Sequence, residues 1–160
     1  MAEQERVLRP GEVSVELPDA TDAGLYFIGR IRTPYRSPQD CPRNRLAAGE
    51  AEAVIELDPR FEPALRGIEL FSHLHVLYWM DMARRDILVQ MPRHLSAPRG
   101  TFALRSPVRP NPIAMTVVKL KAVTGSSVRV SAIECRDGTP LLDLKPYYAS
   151  TDSVPDARRP

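Results

Sequence analysis

The chain contains 160 residues, of which 43% are hydrophobic and 26% charged, and its formal net charge at pH 7 is +2. This composition is typical of one globular domain with a buried core, and the small net charge does not by itself indicate nucleic-acid binding. No apolar run approaches the ~20 residues that span a bilayer, and the charged N-terminus lacks the apolar core of a secretory signal. We therefore expect a cytoplasmic protein that does not associate with membranes.

The first half of the chain predicts short β-strands separated by loops. Residues 1–23 are polar and weakly patterned, so we expect a mobile extension, although residues 13–17 offer an edge strand as the alternative. Further on, β-forming residues alternate or form dense apolar runs, which is typical of half-buried and buried strands. Strands are predicted at residues 25–32, 51–57 and 74–80. Short helical turns are predicted at residues 64–73 and 83–88.

The second half continues this pattern, with turn-forming residues about every ten positions. Strands are predicted at residues 101–106, 113–125, 126–135 and 141–148. Short strands at such intervals, with little helix, are typical of an antiparallel barrel or sandwich, so we predict a mainly β fold. One domain is expected over residues 24–150, followed by a tail over residues 151–160. No glycine-rich motif follows a strand, which argues against a Rossmann nucleotide site.

The basic residues are mostly arginine, since only three of the 22 are lysines. Arginine binds phosphates, carboxylates and aromatic faces better than lysine does, although a GC-rich genome would produce the same bias. The two cysteines, Cys41 and Cys135, match no metal-binding or redox spacing. We therefore expect both thiols to be free, as is usual in a reducing cytoplasm.

Three loops carry more charged and amide side chains than simple turns need. They lie at residues 41–44, 102–115 and 134–148. In the second loop, closely spaced prolines fix the backbone around Arg109 and Asn111, so these side chains are held without forming regular structure. Pockets are common where the loops of a barrel converge at one mouth, and we expect a binding site there.

Several charged side chains in these loops have both a functional and a structural interpretation. Arg43 and Arg105 can each hold a carboxylate through a two-pronged guanidinium contact, although a surface salt bridge is the simpler alternative. Asp137 and Gly138 form a favourable turn pair, which is the alternative to a ligand-binding role for them.

Two further pairs have the i, i+2 spacing that places both side chains on one face of a strand. Asp143 and Lys145 can form a structural ion pair. His73 and His75 can ligate a metal ion, but no Asp, Glu or Cys nearby completes a ligand set. We therefore expect structural histidines and no bound metal.

Five segments, in order, resemble the TsaA-like (YaeB) family, which includes TrmO-type methyltransferases. The segments are "IGRIRTPY", "CPRN", "RGIELFSHLHVLYWM", "GTFALRSPVRPNPIAMTVVKLKAV" and "DGTPLLDLKPY", within residues 26–148. The resemblance implies a single antiparallel β-barrel-like domain with short helical turns. It also implies a non-Rossmann S-adenosylmethionine (SAM) methyltransferase, usually a homodimer. The substrate that it implies is N6-threonylcarbamoyladenosine at position 37, in the anticodon loop of tRNA.

The resemblance also implies which residues bind the cofactor and the substrate. Arg43 or Arg105 would hold the methionine carboxylate, and the loop at residues 135–138 would hold adenine and ribose. Arg109 and Asn111 would face the target base, and Asp81 would act as a base or as an acceptor that orients the nucleophilic nitrogen. The predicted cofactor-binding residues are Pro42, Arg43, Asn44, Asp81, Met82, Arg105, Met115, Cys135, Arg136, Asp137 and Gly138. A SAM-dependent methyltransferase of a small molecule and a non-catalytic SAM-binding module are the alternatives.

Overall fold

The structure, a computed structural model, describes residues 7–43, 47 and 49–159. Within these residues the chain forms nine strands, which confirms the mainly β prediction. They are β1 (Val13–Ser14), β2 (Gly29–Arg32), β3 (Glu52–Leu57), β4 (His73–Trp79), β5 (Ile87–Gln90), β6 (Arg99–Gly100), β7 (Ile113–Thr124), β8 (Ser127–Ser131) and β9 (Thr139–Pro146). The chain divides into two compact units. Leu25–Trp79 and Ala114–Pro160 form the barrel unit, and the residues up to Gly24 form the small-sheet unit with Met80–Ile113.

Six strands of the barrel unit close into a barrel in the order β2-β3-β8-β7-β4-β9. Alternation drives this arrangement, because every second residue of a strand points into the barrel. In β4, for example, Leu74, Val76 and Tyr78 are buried, whereas His73 and His75 are half-buried on the other face. The fully buried aliphatic residues of the barrel include Ile31, Ile55, Leu74, Val76, Val118, Val128, Val130 and Leu141. The predictions of strands at residues 51–57, 74–80 and 113–125 are confirmed to within two residues at each end.

Gly29 marks the closest approach between β2 and β3. It lies opposite Leu57 in the antiparallel register, and a Cβ atom built on it would lie 2.3 Å from the carbonyl oxygen of Glu56. Only glycine fits at such a distance. The strand predicted at residues 25–32 begins only at Gly29, and the preceding Leu25, Tyr26 and Phe27 are exposed.

The small-sheet unit contains β1, β5 and β6, in the order β1-β5-β6. Val13 of β1 pairs with Val89 of β5, so the edge strand offered as the alternative for residues 13–17 is formed at its first two positions. The mobility of the extension as a whole stays a prediction. The helical turn predicted at residues 83–88 is wrong, because β5 begins at Ile87 and pairs with strands on both sides. Pairing with distant residues overrides the local pattern there.

The strand predicted at residues 101–106 is also wrong. Thr101–Ala103 form a 3-10 turn instead. The buried Thr101 hydroxyl donates to the carbonyl of Ile87 at 2.9 Å and accepts from the side-chain amide of Gln90 at 2.8 Å. Threonine side chains that bond to backbone groups favour turns over strands, which explains the difference.

The remaining elements are short. Pro59–Leu65 and Ile68–Leu70 are 3-10 helices, in agreement with helical turns around residues 64–73. Ala149–Asp152 form one α-helical turn, α1, at the start of the predicted tail. Lys145 lies 2.6 Å from Asp143, which confirms that ion pair. No helix among the described residues has the length and apolar character needed to cross a membrane.

Candidate functional site

The Asp137–Gly138 turn, which precedes β9, is fixed to the end of β2. Asp137 N–H donates to the carbonyl of Tyr35 at 2.7 Å, and Gly138 N–H donates to that of Ile31 at 2.8 Å. In return, the Asp137 carboxylate accepts from the N–H of Thr33 at 3.1 Å. Gly138 has a φ of +77°, which a residue with a side chain rarely adopts, so the Asp-Gly turn interpretation is confirmed.

The carbonyl groups of this loop are also engaged. Thr33 Oγ1 donates to the Cys135 carbonyl at 2.8 Å, and Arg30 donates to the Gly138 carbonyl at 2.8 Å. The guanidinium of Arg136 donates to the carbonyl of Asp137 at 2.9 Å. Because the N–H groups of residues 137 and 138 already have acceptors, side chains rather than these N–H groups are available to a ligand.

Glu134 is a candidate that the sequence interpretation missed. Its Oε2 atom is buried and has no hydrogen-bond partner within the described part of the chain. A buried carboxylate oxygen without a donor is costly, and natural proteins keep few such atoms except where a ligand or water completes the site. The signal in the sequence was the acidic residue directly before the predicted run at residues 135–138, but its burial depends on the fold.

The loop at residues 41–43 lies close to Glu134 and Arg136. Burial and the nearby carboxylates of Asp40 and Glu134 raise the pKa of the Cys41 thiol, and Arg136 opposes this increase. Pro42 and Arg43 follow Cys41 directly, half-buried and exposed respectively, so the structure brings them to the neighbourhood of residues 134–136. Asn44, which was predicted to act with them, lies outside the described residues.

Cys135 belongs to the core of the barrel unit. Its side chain is fully buried, and burial raises the pKa of its thiol to about 12. The thiol is therefore neutral and is not exposed to a ligand, so any contact by Cys135 has to use its backbone. Both cysteines are free, as predicted.

In the small-sheet unit, the proline-rich segment at residues 104–112 is held by its carbonyl groups. Every second carbonyl accepts a hydrogen bond, which is the period of an extended chain. The donors are Arg109 for Leu104 and Ser106, Gln90 for Val108, Arg85 for Pro110, and the N–H of Met80 for Pro112. Prolines lack an N–H group, so the side chain of Arg109 within the segment and donors from elsewhere in the unit replace the partner strand that a regular sheet would supply.

The predicted site residues of the small-sheet unit differ in exposure. Arg109 is half-buried, and its contacts with the carbonyls of residues 104 and 106 stiffen the segment. Asn111 is exposed, and its side-chain carbonyl accepts from Arg85 at 3.3 Å. The structure exposes Asp81, Met82 and Arg105 as well. Met115 belongs to the barrel unit, where it is half-exposed on β7.

The histidine pair of β4 makes structural contacts. His75 Nε2 lies 3.0 Å from the Asp152 carboxylate, and its ring packs 5.3 Å from that of Tyr147. His73 Nδ1 lies 2.9 Å from Ser72 Oγ. Among the described residues, no three His, Cys, Asp or Glu side chains lie close enough together to hold a metal ion.

Comparisons with known proteins agree with this architecture. A family model described as the tRNA-methyltransferase O N-terminal domain matches residues 30–153. The probable S-adenosyl-L-methionine-binding protein VirR of Rhizobium radiobacter is 45% identical over 152 residues, which cover 95% of this chain and 86% of VirR. The tRNA (adenine(37)-N6)-methyltransferase of Rattus norvegicus is 38% identical over 130 residues, which cover 79% of this chain and 29% of that protein.

A solved structure has the same fold. The crystal structure of TrmO from Pseudomonas aeruginosa superimposes with a TM-score of 0.71 at 36% sequence identity, covering 86% of this chain and 61% of that one. The chain thus spans less than two thirds of the TrmO chain that it matches. The antiparallel barrel and the predicted resemblance are both confirmed, and the chain belongs to the family of the tRNA-methyltransferase O (TrmO) N-terminal domain.

Proposed function

We propose that this protein is a SAM-dependent methyltransferase that modifies N6 of the adenosine at position 37 of tRNA. The observation that carries the proposal is the family match, which extends over residues 30–153 and includes the whole barrel except Gly29. Relatives named for binding SAM support the cofactor, and mammalian relatives named as tRNA (adenine(37)-N6)-methyltransferases support the acceptor. We further propose that the adenosine carries an N6-threonylcarbamoyl group.

The side chains around residues 134–138 fit the cofactor. SAM carries an ammonium group, a carboxylate and ribose hydroxyls, so it needs both acceptors and cations. Glu134 offers a buried carboxylate oxygen that has no donor among the described residues, Arg136 offers a guanidinium group nearby, and Arg43 lies in the neighbouring loop at residues 41–43. Bound SAM supplies an electrophilic methyl group. The chain's part is to place it, and positioning alone can account for a large share of the rate.

The individual contacts follow from charge and exposure. Glu134 accepts from ribose hydroxyls or from the ammonium group, and Arg43 or Arg105 grips the carboxylate with two parallel hydrogen bonds. Arg136, Asp137 and Gly138 are proposed to contact SAM through side chains and carbonyl lone pairs. The N–H groups of residues 137 and 138 already donate to backbone carbonyls of the protein. Pro42, Asn44, Met82 and Met115 remain proposed cofactor contacts.

Asp81, Arg109 and Asn111 are the proposed substrate residues. An anticodon-loop base is single-stranded, so its edges can be read by an amide and its face covered by a guanidinium. Arg85 fixes the amide of Asn111, which lowers the ordering cost of binding. The carboxylate of Asp81 is exposed and accepts or orients the N6 proton. We also propose that the protein is a homodimer and that it acts in the cytoplasm.

The decisive experiment is methyl transfer from labelled SAM to tRNA that carries N6-threonylcarbamoyladenosine, compared with the same tRNA without that group. We expect label only in the first sample. Label in both samples would support tRNA methylation but would show that the threonylcarbamoyl group is not required for it. Absence of label from both would exclude the tRNA reaction.

The names of relatives such as VirR, which mention SAM binding alone, favour a second candidate, a SAM-binding module without catalysis. Calorimetric titration with SAM separates the possibilities. A module binds SAM in the micromolar range and never transfers the methyl group to tRNA or to a small molecule. A protein that fails to bind SAM would contradict both candidates.

A further inference from the structure

The arginines of the small-sheet unit are not balanced by acidic residues over one long stretch. Residues 87–113 contain four arginines and one histidine, but no aspartate or glutamate, although acidic residues make up 20 of the 160 in the chain. The four positive charges exceed the formal net charge of the entire chain, which is +2. The stretch therefore carries a local excess of positive charge.

Two of these arginines are exposed, and neither side chain has a partner in the part of the chain that the structure describes. Arg93 lies in the connection between β5 and β6, and Arg99 lies in β6. Within the described residues, neither guanidinium takes part in an ion pair or a hydrogen bond. Arginines before this stretch differ, because Arg84 pairs with Asp86 and Arg9 pairs with Glu12. Unpaired guanidinium groups without nearby acids are what a polyanion requires.

The backbone that carries Arg93 and Arg99 is well anchored. In the hairpin of β5 and β6, Gln90 lies opposite Arg99. The side-chain amide of Gln90 donates hydrogen bonds to Thr101 and Val108. At the start of the connection, Met91 N–H donates to the buried carboxylate of Glu12. The arginines are therefore presented from a fixed base rather than from a loose tail, which lowers the entropy lost on binding.

An aromatic side chain accompanies these charges. Phe102, three residues after Arg99, is 82% exposed in the 3-10 turn Thr101–Ala103. Proteins that bind single-stranded nucleic acid combine such stacking platforms with a positively charged surface. The stretch lacks the amphipathic helix with which proteins usually bind a membrane surface, since its described elements are two short strands, one 3-10 turn and the start of β7.

We propose that Arg93, Arg99 and Phe102 form an RNA-binding surface. The two arginines bind backbone phosphates, and Phe102 stacks on an unpaired base. The inference rests on the proposed function for the identity of the RNA, a tRNA anticodon arm. The chemistry that it assigns, a polyanion with exposed bases, follows from the residues themselves.

The test compares two charge-reversed proteins with equal net charge. Arg93→Glu/Arg99→Glu changes the surface, and Arg66→Glu/Arg158→Glu is the control, because both control arginines are exposed and lie among acidic neighbours in sequence. The probe is a fluorescein-labelled transcript of a tRNA anticodon stem-loop, titrated at several salt concentrations. We expect the first pair to weaken binding at low salt roughly tenfold or more, and to lower the salt slope by about 0.7–0.9 per lost phosphate contact.

The control pair is expected to retain wild-type affinity, and thermal unfolding shows whether all variants fold. A third variant, Phe102→Ala, is expected to weaken binding at least fivefold without changing the salt slope. Equal weakening by both charge-reversed pairs would overturn the proposal, because it would show dependence on net charge alone. The proposal would also be overturned if Arg93→Glu/Arg99→Glu lost binding to vesicles of anionic phospholipid while its RNA binding stayed unchanged, because the arginines would then bind a membrane rather than RNA.

The outcome is separable from that of the proposed function. If the wild-type protein transfers methyl groups to tRNA while Arg93→Glu/Arg99→Glu keeps the wild-type Kd and KM, this inference fails and the proposed function stands. If RNA binding depends on these arginines but no tRNA is methylated, the RNA-binding surface stands and the proposed function fails.

Discussion

The side-chain amide of Gln90 donates to the carbonyl of Val108 at 2.7 Å, and this bond joins strand β5 to the proline-rich segment. The same nitrogen donates to the Thr101 hydroxyl at 2.8 Å. Gln90 is only 7% exposed, and its contact with Thr101 is buried, whereas its contact with Val108 is partly buried. One buried amide thus organises three parts of the small-sheet unit.

Gln90→Leu is expected to reduce the free energy of unfolding by about 1–3 kcal/mol, because it leaves the buried Thr101 hydroxyl and the Val108 carbonyl without a donor. Chemical denaturation measures the loss. Gln39→Leu, at an exposed position, is the matched control and is expected to change stability by less than about 0.5 kcal/mol. Equal stabilities for the two variants would contradict the role of Gln90.

Gly29→Ala is expected to destabilise the barrel by about 1–3 kcal/mol, since the added methyl group would lie 2.3 Å from the Glu56 carbonyl and the backbone would have to move. Gly24→Ala is the control, because a Cβ atom there has no heavy atom within 4 Å. The midpoint of urea denaturation is the measurement. A wild-type midpoint for Gly29→Ala would show that β2 and β3 separate without cost.

Glu134→Gln is expected to weaken SAM binding about tenfold or more, because a charge-assisted hydrogen bond becomes a neutral one. The stability of the unliganded protein is expected to stay the same or to rise, since the variant relieves a buried carboxylate oxygen that has no donor in the described structure. Calorimetry with SAM and thermal unfolding give the two readouts, with Glu69→Gln as an exposed control. Lower stability with unchanged SAM affinity would show a structural role instead.

Asp152 predicts a dependence of stability on acid pH. The N–H of Tyr148, and next the ring of His75, hold the pKa of the Asp152 carboxyl below its usual value of 3.8. A lowered pKa in the folded state stabilises the protein above the unfolded-state value, and this contribution is lost as the pH falls through the folded-state pKa. Wild type is therefore expected to exceed Asp152→Asn in stability at about pH 5, and the difference should vanish toward about pH 2. A difference that persists at the lowest pH would refute this linkage.

The barrel was predictable from the sequence because its strands alternate clearly. In β3, for instance, the buried Ala53, Ile55 and Leu57 alternate with more exposed residues, two of them glutamates, and this alternation is visible in the sequence itself. The small-sheet unit was not predictable in the same way. Its strands have two to four residues, which is too short for a period to show, and they form only through pairing with distant parts of the chain.

The candidate site was predictable in part for a related reason. The Asp137–Gly138 turn follows from local turn chemistry, which neighbouring residues determine. The buried oxygen of Glu134 and the engaged N–H groups of residues 137 and 138 depend on the packing of β2 and of the loop at residue 41. Contacts between residues about a hundred positions apart leave no local signal.

The hydrogen bond from Met80 N–H to the Pro112 carbonyl, at 2.9 Å, has a consequence for the evolution of the chain. Residues 80–112 connect β4 to β7, and these two strands are neighbours in the barrel. Because the two ends of this connection meet, a short turn could replace it with little entropic cost. Residues 80–112 are therefore a segment that recombination could exchange, which would replace the residues that we propose to contact the acceptor while leaving the barrel sequence unchanged.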